Sequence, residues 1–240
     1  MEIQQAVVLV GGRGERLRPL TDSIPKPMIL VCAKPFLEHL IILLKDNGIK
    51  RFLFLAGYLG DKIKSYFNEG DKWGVSIDYS FEKTPLGTGG ALRRAMDKLE
   101  DKFFLLFGDS YLPIDYWEMS DCFIVSKKKV ILTVYDNFDD TGVPFNVRLD
   151  KARGGVAAYN KRKDNPKNFD YCDAGVIAVD KEVVRSIKDK NPISFEESIY
   201  PLLIKEGELG YYVAKNRFYD IGTIERLKLF ERYISEGRRQ

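Results

Sequence analysis

Short apolar runs alternate with helix-patterned segments through the first half of the chain. The apolar runs favour β-strands, and the segments between them repeat their apolar positions at helical spacing. The predicted strands are residues 6–10, 51–56, 75–80 and 103–107, and the predicted helices are residues 35–48, 61–67 and 89–99. This alternation predicts a parallel sheet with helices on both faces.

Beyond Pro113 the pattern changes. The predicted strands are residues 130–135, 155–160 and 174–180, and the predicted helices lie near residues 181–189, 195–206 and 223–236. No Gly/Ser/Pro-rich linker separates the halves, so we expect a second lobe that continues the same sheet. We therefore predict a single α/β domain with a mixed sheet over residues 1–240, made of a first part (1–112) and a second part (113–240).

The composition excludes several classes of protein. A length of 240 residues with 45% hydrophobic and 30% charged residues is ordinary for a globular domain, not for a disordered chain. The net charge of +3 argues against a nucleic-acid partner. We also expect no membrane partner and a cytoplasmic location, because no apolar run approaches ~20 residues and the N-terminus lacks a signal sequence. Three widely spaced cysteines favour reduced, structural thiols.

The segment GGRGERLRPLTDSIPKPM (residues 11–28) concentrates glycine and positive charge directly after the first strand. Its glycines are Gly11, Gly12 and Gly14, and its basic residues are Arg13, Arg16, Arg18 and Lys26. Backbone N–H groups at such glycines can approach an anion closely, so a polyphosphate is the expected ligand. A glycine-rich turn with solvent-facing basic residues is the alternative.

Two common phosphate-binding motifs do not fit this segment. A Walker loop would need Gly-Lys-Ser/Thr at its end, which is missing. A dinucleotide-binding fingerprint would need glycine where Leu17 stands, and the prolines at positions 19, 25 and 27 prevent a helix from following promptly.

Four segments of the chain are informative when they are taken together and in order. They are GGRGERLRPLT with PKP (residues 11–27), EKTPLGTGGAL (82–92), LLFGDS (105–110) and FYDIGTIERL (218–227). Together they resemble the signature of the sugar-1-phosphate nucleotidyltransferases, enzymes that join a nucleoside triphosphate to a phosphorylated sugar. The resemblance implies the family's Rossmann-like nucleotide-binding fold, with a nucleotide-binding part at 1–112 and a continuous acceptor-binding part at 113–240. The first two segments are most similar to guanylyltransferases for mannose- or heptose-1-phosphate.

The resemblance also implies catalytic roles. Arg16 would lie on the triphosphate and Lys26 would contact the phosphates near the reacting centre. Asp109 and Asp220 would hold Mg²⁺, which prefers oxygen ligands and shares its coordination with water and phosphate. Without the signature, Asp109 would be interpreted as a turn or helix-cap residue.

Glu82, Gly87 and Thr88 lie in the segment that binds the base in this family. A carboxylate can accept hydrogen bonds from both N1–H and the exocyclic amine of guanine, whereas uracil offers one donor and cytosine mainly its amine. The resemblance therefore favours GTP. A solvated Glu82 beside a purely structural glycine turn is the alternative.

The acceptor side departs from the family pattern. Relatives carry Glu-Lys-Pro where residues 160–162 are Asn-Lys-Arg, so the lysine for the acceptor phosphate is retained as Lys161 but the carboxylate for a sugar hydroxyl is not. Asp173 stands where many relatives have Asn, and Glu196 or Glu197 is available to the same cleft. The implied acceptor site is Lys161, Asp173 and Glu196. Without the family, Lys161 would be interpreted as a solvated lysine.

We therefore predict a Mg²⁺-dependent enzyme that transfers a nucleotidyl group from an NTP to a sugar 1-phosphate and releases pyrophosphate. Uridylyl or cytidylyl transfer, to another sugar phosphate or a non-sugar acceptor, stays an alternative. A glycosyltransferase would usually carry Asp-x-Asp, whereas Ser110 and Tyr111 follow Asp109. A non-catalytic sensor would be favoured by loss of a catalytic residue. The sequence leaves a homo-oligomer open.

Overall fold

A seven-stranded sheet forms the centre of the protein in the computed structural model, which describes residues 2–161, 168–188 and 192–237. The strands are β1 (Gln5–Leu9), β2 (Leu30–Val31), β3 (Lys34–Pro35), β4 (Arg51–Ala56), β5 (Ser76–Phe81), β6 (Lys102–Phe107), β7 (Ser110–Tyr111), β8 (Val130–Tyr135), β9 (Val147–Asp150), β10 (Gly155–Tyr159), β11 (Cys172–Asp180), β12 (Leu209–Val213) and β13 (Tyr219–Asp220). The α-helices are α1 (Phe36–Asp46), α2 (Gly60–Phe67), α3 (Gly87–Arg94), α4 (Tyr116–Ser126), α5 (Lys181–Arg185), α6 (Phe195–Ser198), α7 (Tyr200–Glu206) and α8 (Ile224–Gly237).

The strand order of the central sheet is β12-β8-β11-β6-β1-β4-β5. Strand β1 pairs in parallel with β4 and β6, and β4 pairs in parallel with β5. Strand β11 runs antiparallel to both β6 and β8, which confirms the prediction of a mixed α/β sheet. Because β1, β5 and β6 run in one direction, the glycine-rich loop, Glu82 and Asp109 all emerge at the same edge of the sheet.

Helices cover both faces of the sheet. Along β1, Val7 and Val8 belong to different apolar clusters because successive strand residues point to opposite faces. Helices α1, α2, α4 and α8 bury Phe36, Phe67, Tyr116 and Phe230 on one face. Helices α3, α5, α6 and α7 bury Leu92, Val184, Phe195 and Tyr200 on the other. Within the described ranges, every helix is too short or too polar to cross a bilayer.

Two segments of the second half differ from the sequence prediction. The strand predicted over 155–160 is β10, which pairs with β9 in a separate two-stranded sheet. The helix predicted over 195–206 is divided into α6 and α7. Pro201 lies in the first turn of α7 and has no N–H to continue the α6 hydrogen-bond ladder, so the helix breaks there.

Other helices differ in their bounds or were missed. Helix α4 was not predicted, although Asp115 caps it by accepting hydrogen bonds from the N–H groups of Trp117 (2.8 Å) and Glu118 (3.0 Å). The predicted helix at 89–99 is α3 followed by a separate 3₁₀ turn. The helix predicted near 181–189 is α5, which ends at Arg185, and residue 189 lies outside the described residues.

A bulge in β11 places Asp173 close to the edge of the sheet where the loops emerge. The pairing of β11 with β8 is irregular between Asp173 and Ile177, and Gly175 has a φ of 83°. The side chain of Asp173 accepts hydrogen bonds from the Gly175 N–H (2.9 Å) and the Tyr159 hydroxyl (3.1 Å). Burial nevertheless raises the pKa of Asp173 to about 6, because these two hydrogen bonds compensate only part of the lost hydration.

The raised pKa predicts that Asp173 destabilises the fold near neutral pH. Between about pH 4 and 6 the native state binds more protons than the unfolded chain, so this carboxyl lowers stability as pH rises and its penalty is constant above about pH 6. Asp173→Asn should therefore increase the free energy of unfolding at pH 8 by up to about 3 kcal/mol. The gain should disappear below about pH 4.

Urea unfolding of the wild type and Asp173→Asn at several pH values measures this effect. Asp121→Asn, at an exposed position on α4, is the matched control for loss of one carboxylate. A gain that is equal at pH 4 and pH 8, or a variant less stable than the wild type at pH 8, would contradict the prediction.

Candidate active site

A cleft of about 640 Å³ opens at the carboxyl ends of β1, β5 and β6. Its volume lies in the range of ordinary small-molecule sites. The sequence-predicted residues that line it are Gly11, Gly12, Gly14, Arg16, Lys26, Glu82, Gly87, Thr88 and Asp109. The fold therefore brings together residues that are up to a hundred positions apart in the sequence.

The loop after β1 folds into three short 3₁₀ turns, consistent with the expectation that no helix follows it promptly. Gly14 has a left-handed φ of 65°, and a Cβ at this position would lie 2.9 Å from Thr21 Cγ2 and 3.0 Å from Lys26 Cβ. The Thr21 hydroxyl in turn donates a hydrogen bond to the Gly14 carbonyl (3.0 Å). A glycine is needed here so that the loop can fold back and deliver Lys26 to the cleft.

Lys26 and Asp109 form an ion pair between the loop and the end of β6. The Lys26 Nζ atom lies 2.5 Å from Asp109 Oδ2, and Lys26 is only 8% exposed. A lysine this buried requires a charged partner, because an unpaired ammonium would lose most of its hydration energy. The pair therefore fixes the loop against the strand.

Asp220 lies beside Asp109 on a neighbouring strand. Strand β13 pairs antiparallel with β7, which sets Asp220 opposite Ser110, and the Ile221 N–H donates to the Asp109 carbonyl (3.1 Å). Asp220 also accepts hydrogen bonds from Arg226 Nη1 at 3.0 and 3.3 Å. Each of the two carboxylates thus has its own cationic partner.

Arg226, the third residue of α8, was not among the residues predicted from the sequence. Its Nη2 atom also donates to the Gly142 carbonyl (2.8 Å), so Arg226 connects Asp220 to the loop after β8. The only signal in the sequence was an arginine six positions after Asp220, and that spacing does not identify an ion pair by itself.

The two carboxylates suit magnesium better than a metal ion that takes all its ligands from protein side chains. Within the ranges that the structure describes, no three His, Cys, Asp or Glu side chains converge on one point. Asp220 nevertheless lies opposite Ser110 in the β13–β7 pair, and Asp109 directly precedes Ser110, so the two carboxylates come from adjacent backbone positions. Mg²⁺ is commonly held by one or two carboxylates, with substrate phosphates and water in its other positions, so these two residues fit it.

Arg16 lies at the opening of the cleft with its guanidinium available. Among the described residues, no side chain or carbonyl pairs with this guanidinium, which is exposed. A Cβ at Gly222 would lie 2.7 Å from Asp220 Oδ1 and 3.3 Å from Arg16 Nη2, so the glycine leaves room for both side chains. Such a guanidinium can bind two oxygens of one anion at once.

Glu82 closes the other end of the cleft, directly after β5. Its Oε2 atom accepts a hydrogen bond from the Leu86 N–H (3.1 Å), and Cβ atoms at Gly57 and Gly11 would lie 3.0 and 3.2 Å from Oε1. Burial raises the pKa of Glu82, against the opposing effects of the Leu86 N–H and Arg94. The Oε1 atom of Glu82 can therefore still accept hydrogen bonds from a ligand, and it is partly shielded from water.

The predicted acceptor residues form a separate cluster beside the cleft. The Lys161 Nζ atom lies 3.0 Å from Glu196 Oε2, and Asp173 lies behind them at the β11 bulge. The Lys161 side chain is 41% exposed although its ammonium is paired, so it is not simply a solvated lysine. Glu196 is buried and Glu197 is exposed, which distinguishes the two candidates. Residue 162 lies outside the described residues.

A family model agrees with this architecture. The model described as "Nucleotidyl transferase" matches residues 5–235, which is nearly the whole chain. It includes the loop after β1, the Asp109 strand end and the β13–α8 segment.

Curated relatives share most of this chain. A mannose-1-phosphate guanylyltransferase of Mycobacterium tuberculosis is 32% identical over 92% of the chain, and a D-glycero-alpha-D-manno-heptose 1-phosphate guanylyltransferase of Aneurinibacillus thermoaerophilus is 37% identical over 91%. A UTP–glucose-1-phosphate uridylyltransferase of Synechocystis is 36% identical over 92%. The chain spans 61%, 93% and 60% of the lengths of these three proteins, respectively. Sequence identity alone therefore does not determine which base of the nucleoside triphosphate this protein would bind.

A solved structure has the same fold. The crystal structure of HddC from Yersinia pseudotuberculosis superposes with a TM-score of 0.82 at 25% identity, covering 97% of this chain and 100% of that one. Together with the family match and the curated relatives, it shows that the chain belongs to the nucleotidyl transferase family.

Proposed function

We propose that this protein is a Mg²⁺-dependent guanylyltransferase that joins GTP to a mannose- or heptose-type sugar 1-phosphate and releases pyrophosphate. The observation that carries the proposal is that Arg16, Lys26 and Asp109 line one cleft and that Asp220 lies next to it, opposite Ser110. The relatives named as guanylyltransferases for mannose- and heptose-1-phosphate support the choice of substrates. In this assignment residues 1–112 bind the nucleotide and residues 113–240 bind the acceptor.

The reaction is an in-line attack of the acceptor phosphate on the α-phosphorus of the nucleotide. A phosphate oxygen forms the new P–O bond while the bond to the pyrophosphate oxygen breaks, and pyrophosphate leaves with that electron pair. A sugar phosphate has a second pKa of about 6 and is mostly dianionic at pH 7, so it needs no general base.

Repulsion between two anions is the main obstacle to this reaction. Two unit charges 4 Å apart repel by about 1 kcal/mol in water and by about 4 kcal/mol at an effective dielectric constant of 20. Arg16 and Lys26 offset this repulsion on the nucleotide side, and Lys161 offsets it at the acceptor phosphate. The glycines at positions 11, 12 and 14 let backbone N–H groups contact the triphosphate without interference from side chains.

The two carboxylates and the base-binding segment complete the assignment. Asp109 and Asp220 would hold Mg²⁺, which supplies positive charge to the phosphate oxygens when it is bound. Glu82 Oε1 would accept hydrogen bonds from guanine, with Gly87 and Thr88 shaping the turn beside it. We further assign the protein to the cytoplasm, where nucleoside triphosphates are made and where its free cysteines would stay reduced.

The first test of this function is the loss of Asp109. Asp109→Asn should lower the turnover of GTP and mannose 1-phosphate by about 100-fold or more, on the scale of removing one preorganised electrostatic contact. Pyrophosphate release in the presence of Mg²⁺ measures the rate, and circular dichroism verifies that the fold is intact. Asp121→Asn on the exposed face of α4 should retain the wild-type rate.

Two results would count against the proposal. A wild-type enzyme that releases no pyrophosphate with any NTP and sugar phosphate would remove the proposed activity. Full turnover in Asp109→Asn would remove only Asp109 from the catalytic centre.

The second test concerns the base. A site built around paired hydrogen bonds rejects bases that leave a buried acceptor unmatched, so the wild type should use GTP with a higher kcat/KM than UTP or CTP. Glu82→Gln should reduce this preference, because one acceptor oxygen becomes a donor. The dependence on Mg²⁺ should not change.

The measured quantity is the ratio of kcat/KM for GTP to that for UTP and CTP, at one fixed acceptor concentration. A wild type that prefers UTP or CTP would refute base selection by Glu82. Nucleotidyl transfer itself would stand.

A further inference from the structure

Three hydrogen-bond donors converge on a single oxygen of the buried Glu196 side chain. The Thr88 hydroxyl lies 2.9 Å from Oε2, the Ser194 hydroxyl 2.7 Å and the Lys161 ammonium 3.0 Å. Glu196 is 2% exposed, so its carboxylate has little contact with bulk water. These protein donors therefore replace its hydration.

The three donors belong to different parts of the fold. Thr88 lies in the first turn of α3, beside the base-binding turn. Lys161 follows β10 in the second half of the chain, and Ser194 caps α6. The carboxylate of Glu196 thus connects the nucleotide side of the cleft with the acceptor side. We call Glu196 and its three donors, Thr88, Lys161 and Ser194, the junction.

The backbone around this junction is closely packed. The Gly89 N–H donates to the Ile193 carbonyl (2.9 Å), the Ile193 N–H donates to the Leu86 carbonyl (2.8 Å), and the Phe195 N–H donates to the Thr88 hydroxyl (2.8 Å). Gly87 has a φ of 76°, and a Cβ there would lie 2.4 Å from the Ile193 carbonyl oxygen. The α6 segment is therefore fixed against the base-binding turn, and Glu196 is fixed with it.

Lys161 has the longest and most flexible side chain among the residues that contact Glu196. Its side chain has four rotatable bonds and is 41% exposed, whereas its partner Glu196 is nearly inaccessible. The Lys161 ammonium also donates to the Ser194 hydroxyl (2.9 Å). Burial opposes ionisation of Glu196, but Lys161 and Ser194 hold its pKa below the ordinary value. The rigid carboxylate therefore selects one position for a lysine that would otherwise sample many.

We propose that Glu196 is a positioning residue that holds Lys161 ready for the acceptor phosphate and links this lysine to Thr88 on the nucleotide side. The proposal rests on the proposed function, in which Lys161 meets the acceptor phosphate. It differs from the sequence-based expectation, in which Glu196 would itself contact the acceptor. Oε2 already accepts from three protein donors, so in this proposal the acceptor phosphate contacts Lys161 and not this oxygen.

A double-mutant cycle separates these two roles. Lys161→Met should raise the KM for the sugar 1-phosphate by about 10-fold or more, since a charge-assisted contact to phosphate is lost. Glu196→Gln should raise the same KM by about 5-fold while kcat changes less than about 2-fold, because the ammonium is no longer held by a charge. In the Lys161→Met background, Glu196→Gln should have almost no further effect on this KM.

A separate variant tests the link between Glu196 and the nucleotide side. Thr88→Val removes one donor to Glu196 and should raise the acceptor KM by about 2-fold or more when Lys161 is present, but not in the Lys161→Met background. Glu231→Gln is the matched control, since Glu231 is an exposed glutamate of α8, on the opposite face of the sheet. It should leave the acceptor KM unchanged.

Stability provides a readout that does not depend on turnover. Lys161→Met leaves the buried carboxylate without its cation, so its melting temperature should fall, and adding Glu196→Gln should restore part of the loss. Additive effects of Lys161→Met and Glu196→Gln on the acceptor KM would overturn the proposal and favour a direct contact with the acceptor. A Glu196→Gln enzyme with wild-type KM would also overturn it. Failure of the wild type to release pyrophosphate would instead refute the proposed function.

Discussion

The ion pair between Lys26 and Asp109 is the contact on which the rest of the site depends. It joins the loop after β1 to the end of β6, two strands that are neighbours in the sheet. Gly14 permits the loop to turn back, and the low exposure of Lys26 makes the pair costly to break, because the Lys26 ammonium would be left buried without a counter-charge. Asp109 in turn contacts the β13 segment through the Ile221 N–H, so one ion pair sets the mutual positions of the glycine loop and Asp220.

The charged groups of the site differ in whether they already have a partner of opposite charge. Asp109 and Asp220 are each compensated by an internal cation, Lys26 and Arg226, whereas Arg16 has no anionic partner among the described residues. The described part of the site therefore has an arginine without an anionic partner at its opening and two carboxylates that are already paired with cations. A triphosphate that enters with Mg²⁺ would add both an anion for Arg16 and a cation for the carboxylates.

The strands and helices with a clear local pattern, and the residues of the family signature, could be predicted from the sequence. The alternation of strands and helices predicted the parallel part of the sheet, and the signature predicted nucleotide-side residues that line one cleft, although their roles stay predictions. Contacts between distant segments could not be predicted in this way. Arg226 pairs with Asp220 because α8 begins close to β13, and Glu196 contacts Thr88 because a glycine at position 87 admits the Ile193 backbone. The break between α6 and α7 could have been foreseen from Pro201, and α4 from the Asp115 cap.

The central claim is that the α-phosphate, and not the γ-phosphate, passes to the acceptor. GTP labelled with ³²P at the α or the γ position, incubated with mannose 1-phosphate, Mg²⁺ and the wild-type protein, tests it directly. The account predicts that the α label appears in the nucleotide sugar and the γ label in pyrophosphate. Transfer of the γ label to the sugar phosphate, or its release as inorganic phosphate while the α label stays in GDP, would contradict it.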